Sequence, residues 1–120
     1  MVGKPQYEVT VEEVHSGDDL VVMVNLGIDG LYKKVRVRLY GVDTPNAYRV
    51  KGDTDAGKVR DEIKHLTQTS RCSVIVQGQG KGGWLVTLFA HKSGEPQPVN
   101  VNELLASRGF VYQKTQEQAA

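Results

Sequence analysis

The chain has 120 residues, of which 39% are hydrophobic and 24% are charged, a composition typical of a folded domain that buries its own core. The chain has 15 lysine and arginine residues and 14 aspartate and glutamate residues, which gives a net charge of +1. This charge excludes nucleic-acid binding through bulk charge, so phosphate binding needs a local cluster of cations. No apolar run approaches the ~18 residues of a membrane helix, so we expect a soluble protein without a membrane partner. We expect one domain over residues 1–120, with its core at about 7–112 and a polar tail at 113–120.

Three strands are predicted before any helix. Tyr7–Val14 is rich in β-forming residues, Leu20–Leu26 is almost wholly apolar, and Lys33–Tyr40 alternates strictly between apolar and polar residues. The segments His15–Asp19 and Gly27–Gly30 join them and consist of residues that favour tight turns. This order predicts an antiparallel meander.

The third strand is predicted to have one buried face and one cationic face, because strand side chains alternate in direction. Its buried face consists of Val35, Val37 and Leu39. Its polar face consists of Lys34, Arg36, Arg38 and Tyr40.

A polar loop follows, and then a helix is predicted from Thr54 or Asp55 to about Thr67. Its buried stripe is predicted from apolar residues at helical spacing, which are Val59, Ile63 and Leu66. Beyond this helix the pattern returns to that of strands.

Two more strands and a second helix complete the predicted elements. The strands are Arg71–Val76 and Trp84–His91, around a glycine-rich turn at Gly78–Gly83. Asn100 with Glu103 three residues later is typical of a helix start, and Gly109 of a helix end. Three strands, a helix, two strands and a helix predict a mainly β, α+β fold, a five-stranded Greek-key barrel of the OB type, with a small mixed sandwich as the alternative.

Two runs and a short helix resemble the staphylococcal nuclease (thermonuclease) family. The runs are the turn Ser16–Asp19 and the segment Arg38–Pro45, in which an arginine stands five residues before Asp43-Thr44-Pro45. The helix is Val101–Leu105, followed by Arg108 and Gly109. The likeness spans about residues 11–112.

This resemblance implies an OB barrel that uses Ca²⁺ to cut DNA and RNA. It implies that Asp18, Asp43 and the backbone carbonyl of Thr44 hold the calcium ion and that Arg38 binds the phosphate. Carboxylate and carbonyl oxygens suit a hard cation, and a guanidinium suits phosphate oxygens. With only two carboxylates, we expect calcium to bind loosely, at ~10⁻⁴ to 10⁻³ M. Asp18 and Asp43 are also typical turn residues without a metal.

Two positions depart from the family pattern. Asn46 stands where the family has a glutamate that activates the attacking water, and an amide cannot take up a proton near neutral pH, which costs ~10² to 10⁴ in rate. Gly83 aligns with the family's second arginine, and loss of one preorganised donor costs ~10² to 10³. We therefore expect hydrolysis to be weak or lost.

Further candidate contacts to nucleic acid lie in the third strand, the polar loop and the glycine turn. The cations are Arg36, Arg49 and Lys81, and the aromatic residues are Trp84 and Tyr48. Aromatic rings beside a basic groove are typical of OB barrels that bind single strands. The alternative interpretation of Trp84 is core packing.

Three hypotheses follow. The first is a nuclease-like barrel that binds single-stranded DNA or RNA, or another phosphate group, without sequence preference. The second is an active Ca²⁺-dependent phosphodiesterase, in which Asp53 or Asp55 activates water and Lys81 or Arg49 replaces the missing arginine. The third is a protein-interaction module. The sequence leaves the compartment open, with a monomer as the default.

Overall fold

The strands and helices follow the predicted order. The computed structural model describes residues 4–43, 55–80 and 82–110, with backbone alone at 55 and 56. The strands are β1 (Gln6–Ser16), β2 (Asp19–Asn25), β3 (Tyr32–Leu39), β4 (Arg71–Gly80), β5 (Gly83–His91) and β6 (Val99–Asn100). The helices are α1 (Asp55–Gln68), between β3 and β4, and α2 (Val101–Ser107), after β6.

The five long strands form a closed barrel. Strand β1 pairs antiparallel with β2 and with β4, β2 pairs with β3, and β4 pairs with β5. A parallel pairing between β3 and β5, with Arg38 opposite Leu85, closes the barrel. This topology, with a helix between the third and fourth strands, confirms the predicted OB-type fold.

Strand alternation places the core inside the barrel. In β3, Val35, Val37 and Leu39 are buried, whereas Lys34, Arg36 and Arg38 are exposed, as predicted. In α1, Ile63 and Leu66 are buried and Val59 is partly buried, so the predicted stripe packs on the barrel. Cys72 belongs to the same core.

The glycine-rich run differs from the prediction. Strand β4 continues to Gly80 instead of ending at Val76, and β5 already begins at Gly83. A register shift between Val76 and Gly78 allows the strand to continue, since bulges accept glycine well. The two-residue strand β6 was not predicted, because two residues carry no periodic signal.

Helix α2 begins and ends at the predicted signals. The side chain of Asn100 accepts a hydrogen bond of 3.0 Å from the Glu103 amide. At the other end Gly109 has a φ of +94°, and the amides of Gly109 and Phe110 donate to Ala106 and Leu105. These two bonds form a Schellman motif. In the part of the chain that the structure describes, no helix is long and apolar enough to cross a membrane.

Candidate functional site

The β1–β2 turn buries a carboxylate at one end of the barrel. Asp18 is only 2% exposed. Its carboxylate accepts hydrogen bonds from Ser16 Oγ at 2.9 Å and from Arg38 Nη2 at 3.1 Å. Its backbone carbonyl accepts a further bond of 3.0 Å from the Leu39 amide. A buried charge needs such partners, so the turn is attached firmly to the end of β3.

Arg38 lies above this carboxylate and is still accessible. Its side chain is 49% exposed. Within the described residues its guanidinium is bonded through Nη2 alone. The arginine is therefore held in one direction and keeps other donors for a ligand, and a guanidinium has five N–H donors.

Arg36 is held differently. Its Nε donates to Asp19 Oδ1 at 2.9 Å, and its Nη2 donates to Asp19 Oδ2, so the pair is bidentate. The hydrogen bonds and the charge of Asp19 raise the pKa of Arg36 above its usual value. Because a phosphate uses the same fork of donors as a carboxylate, Asp19 competes with any phosphate at Arg36.

Asp43 follows a tight turn at the same end of the barrel. Gly41 in this turn has a φ of +78°, which glycine adopts without strain. The Val42 amide donates to the Leu39 carbonyl, and the Asp43 amide donates to the Phe110 carbonyl at 3.3 Å. The Asp43 side chain is exposed. Asp18, Arg38 and Asp43 together are called the rim below.

The rim offers few donors to a metal ion. Both carboxylate oxygens of Asp18 already accept hydrogen bonds. Among the described residues, no three histidine, cysteine, aspartate or glutamate side chains come together in a group that could hold a metal ion. The predicted pair of carboxylates does not make a closed metal site by itself.

Several predicted site residues lie outside the described residues. These are Thr44, Asn46, Tyr48, Arg49 and Lys81, together with Asp53 and the side chain of Asp55. Their roles stay predictions.

Gly83 has no room for a side chain. A Cβ atom built there would lie 2.0 Å from the Arg36 carbonyl oxygen, and the φ of Gly83 is +127°. An arginine at position 83 would therefore require β3 or β5 to move. This position, which aligns with the family's second arginine, lies where two strands approach closely.

Trp84 packs on the barrel core. It is partly buried, and its ring lies 5.8 Å from that of Tyr7, centroid to centroid, at an interplanar angle of 31°. This environment agrees with the interpretation of Trp84 as a core-packing residue. Contact of Trp84 with bases stays a prediction.

Sequence analysis missed Asn102, a buried residue of α2. Its Nδ2 donates to the carbonyls of Tyr40 and Val86, and its Oδ1 accepts from the Leu88 amide at 2.9 Å. It thereby ties α2 to the end of β3 and to β5, next to the rim. The available signal was a polar residue between Val101 and Leu105, on the apolar face of a short helix.

Comparison with models of known protein families gives no match, and no curated protein sequence matches the chain significantly. The likeness to staphylococcal nucleases rests on the motifs of the sequence alone.

Proposed function

We propose that the rim binds a phosphate group of single-stranded DNA or RNA, or of another phosphate-bearing ligand, and that hydrolysis is weak or lost. One observation carries this proposal: a half-exposed arginine, Arg38, is oriented by a buried carboxylate, Asp18. An oriented guanidinium loses less entropy when it binds an anion, and it forms strong, charge-assisted bonds with phosphate oxygens.

The expectation of weak hydrolysis has two supports. Asn46 cannot act as a general base near neutral pH. The missing second arginine cannot be supplied at position 83 without movement of the backbone. Binding needs neither group, because phosphate contacts alone give sequence-independent affinity.

The binding test is a titration of a fluorescent oligothymidylate at low salt and at physiological salt. We expect affinity to fall with salt, and Arg38→Ala to weaken binding by about ten- to a hundredfold, as for loss of a hydrogen bond to a charged group. Arg71→Ala is the matched control, because Arg71 is an exposed arginine of β4 that pairs with the exposed Glu8. No binding at low salt would contradict the proposal and favour the protein-interaction module.

The hydrolysis test uses single-stranded DNA and RNA with millimolar calcium or with a chelator. We expect no cleavage, or cleavage slower by several orders of magnitude than that of an active nuclease. The proposed loss of hydrolysis would be overturned if the protein cleaves with calcium at a normal enzymatic rate and Asp43→Ala abolishes this cleavage. This result would favour the active phosphodiesterase.

A further inference from the structure

The outer face of β3 combines aromatic and cationic side chains in one row. At alternate positions it has an exposed tyrosine, three cations and a second exposed tyrosine. These five residues, called the β3 track below, are Tyr32, Lys34, Arg36, Arg38 and Tyr40. Tyr40 directly follows the strand, and its amide still donates to the Val86 carbonyl of β5 at 2.8 Å.

The two tyrosines are unusually open to solvent. Tyr32 is 55% exposed and Tyr40 is 57% exposed. Large aromatic rings usually contribute buried area to a core or an interface. Here they stand at the two ends of a row of cations, which is an arrangement suited to stacking of bases.

The cations of this row are neutralised to different extents. The residues of β2 opposite Tyr32, Lys34 and Arg36 are Asn25, Met23 and Val21, none of them charged. Asp19 of β2 lies opposite Arg38 and pairs with Arg36. Within the described ranges, the acids that reach the track are Asp18 and Asp19 at the arginines, and Glu13, whose Oε2 lies 4.0 Å from Lys34 Nζ. An exposed pair at that distance contributes little.

The spacing of the track suits an extended single strand. Alternate residues of a β-strand are ~6.7 Å apart, so Tyr32 and Tyr40 are ~27 Å apart along the strand. Successive phosphates of an extended nucleic-acid strand have a similar separation to alternate side chains. The track therefore accommodates about four nucleotides, the lower end of the range for OB barrels.

We propose that a single-stranded nucleic acid runs along the β3 track, with phosphates at Lys34 and Arg38 and with bases stacked on Tyr32 and Tyr40. The inference rests on the proposed function, because Arg38 belongs both to the rim and to the track. It adds a direction, a length and two stacking residues to that function. The expected ligand is a polymer, since a lone phosphate cannot span the ~27 Å between Tyr32 and Tyr40.

The first experiment compares oligothymidylates of about two, four and eight nucleotides. We expect Tyr32→Ala to weaken binding of the longer oligonucleotides about tenfold and to leave the dinucleotide unchanged. Arg38→Ala weakens binding at every length. Lys34→Ala lowers the slope of log affinity against log salt by about 0.7, the value for one phosphate of a single strand.

The second experiment detects stacking directly. Tyr32→Trp keeps an aromatic ring, so we expect it to retain affinity and its fluorescence to be quenched on binding, relative to the signal of the native Trp84. Tyr32→Leu keeps an apolar side chain without a ring and is expected to bind as weakly as Tyr32→Ala. Ile28→Ala is the matched control, because Ile28 is an exposed apolar residue of the same hairpin that lies off the track.

The outcomes separate the two proposals. If Tyr32→Ala and Tyr32→Leu bind like the wild type while Arg38→Ala loses affinity, the track is wrong and the proposed function stands. If Arg38→Ala binds like the wild type, the proposed function fails. If Ile28→Ala loses affinity for the oligonucleotide while Tyr32→Leu binds like the wild type, the tip of the hairpin makes an apolar contact with the ligand and the track is also wrong. Melting temperatures check that these surface variants remain folded.

Discussion

Two neighbouring arginines of β3 differ in how they are held. Arg38 donates one hydrogen bond to the buried Asp18, whereas Arg36 donates two hydrogen bonds to Asp19. The two aspartates are adjacent in sequence, Asp18 in the β1–β2 turn and Asp19 at the start of β2. One short segment therefore orients one arginine and competes for the other. We infer that Asp19 limits phosphate binding at this face of the barrel.

Asp19→Asn is expected to increase affinity for a single-stranded oligonucleotide about three- to tenfold. The amide keeps the size of the side chain but removes a negative charge and one acceptor oxygen from Arg36, which then becomes available to a phosphate. The measurement is the same titration at low salt. Glu95→Gln, at an exposed turn residue after β5, is the control with an identical change in net charge. If Asp19→Asn binds the oligonucleotide no more tightly than Glu95→Gln does, competition by Asp19 is excluded.

The short helix α2 depends on two asparagines with different roles. Asn100 caps its first turn through the Glu103 amide. Asn102 bonds three backbone groups, two of which lie in β5 and one at the end of β3. Asn102 thereby fixes the segment that leads from β3 to Asp43.

Asn102→Ala is expected to lower the free energy of unfolding by about 2 to 4 kcal/mol, because it removes the acceptor of the buried Leu88 amide and two further hydrogen bonds to backbone carbonyls. Asn100→Ala is expected to cost about 1 kcal/mol, the usual value for loss of an N-cap. Urea denaturation of both variants gives the comparison. If Asn102→Ala costs no more than Asn100→Ala, water replaces the three bonds and Asn102 does not fix the segment.

The parallel pairing of β3 with β5 closes the barrel around its core. Cys72 lies in that core and is the one cysteine of the chain. Burial raises the pKa of its thiol above the usual value, to about 11. Because the folded state holds this proton more tightly than the unfolded state, the contribution of Cys72 to stability is complete below pH ~9 and is lost as the pH rises towards ~11.

Cys72 in the native protein is therefore expected to react slowly with a thiol reagent at pH ~8, because exposure of its thiol needs unfolding. We expect this reaction to be at least about a hundredfold slower than in urea. The rate of labelling at increasing urea concentrations measures this protection. Cys72→Ser, which has no thiol, gives the background. Labelling of the native protein as fast as in urea would show that the barrel opens locally at β4.

Much of the fold was predictable because the signals are local. The alternation of β3 identified its buried and cationic faces, and Asn100 and Gly109 marked the ends of α2. The glycine run was misassigned, because glycine is as common in turns as in bulged strands and the choice depends on the partner strand.

The candidate site was predictable in part. The sequence indicated Asp18, Arg38 and Asp43 as a group, and the structure joins Asp18 to Arg38 and brings both to the end of β3 that leads to Asp43. The pairing of Arg36 with Asp19 was not foreseen. Nothing along the chain distinguishes the partner of one arginine from that of another two residues away.

Local sequence signals were sufficient to predict the order of the five long strands and two helices, the cationic face of β3 and the caps of α2, because each depends on residues close along the chain. Three features became visible only in the folded chain: Asp18 is buried beneath Arg38, Asp19 pairs with Arg36, and Gly83 faces the Arg36 carbonyl. These contacts join residues that are distant in the chain, and barrel closure sets their distances.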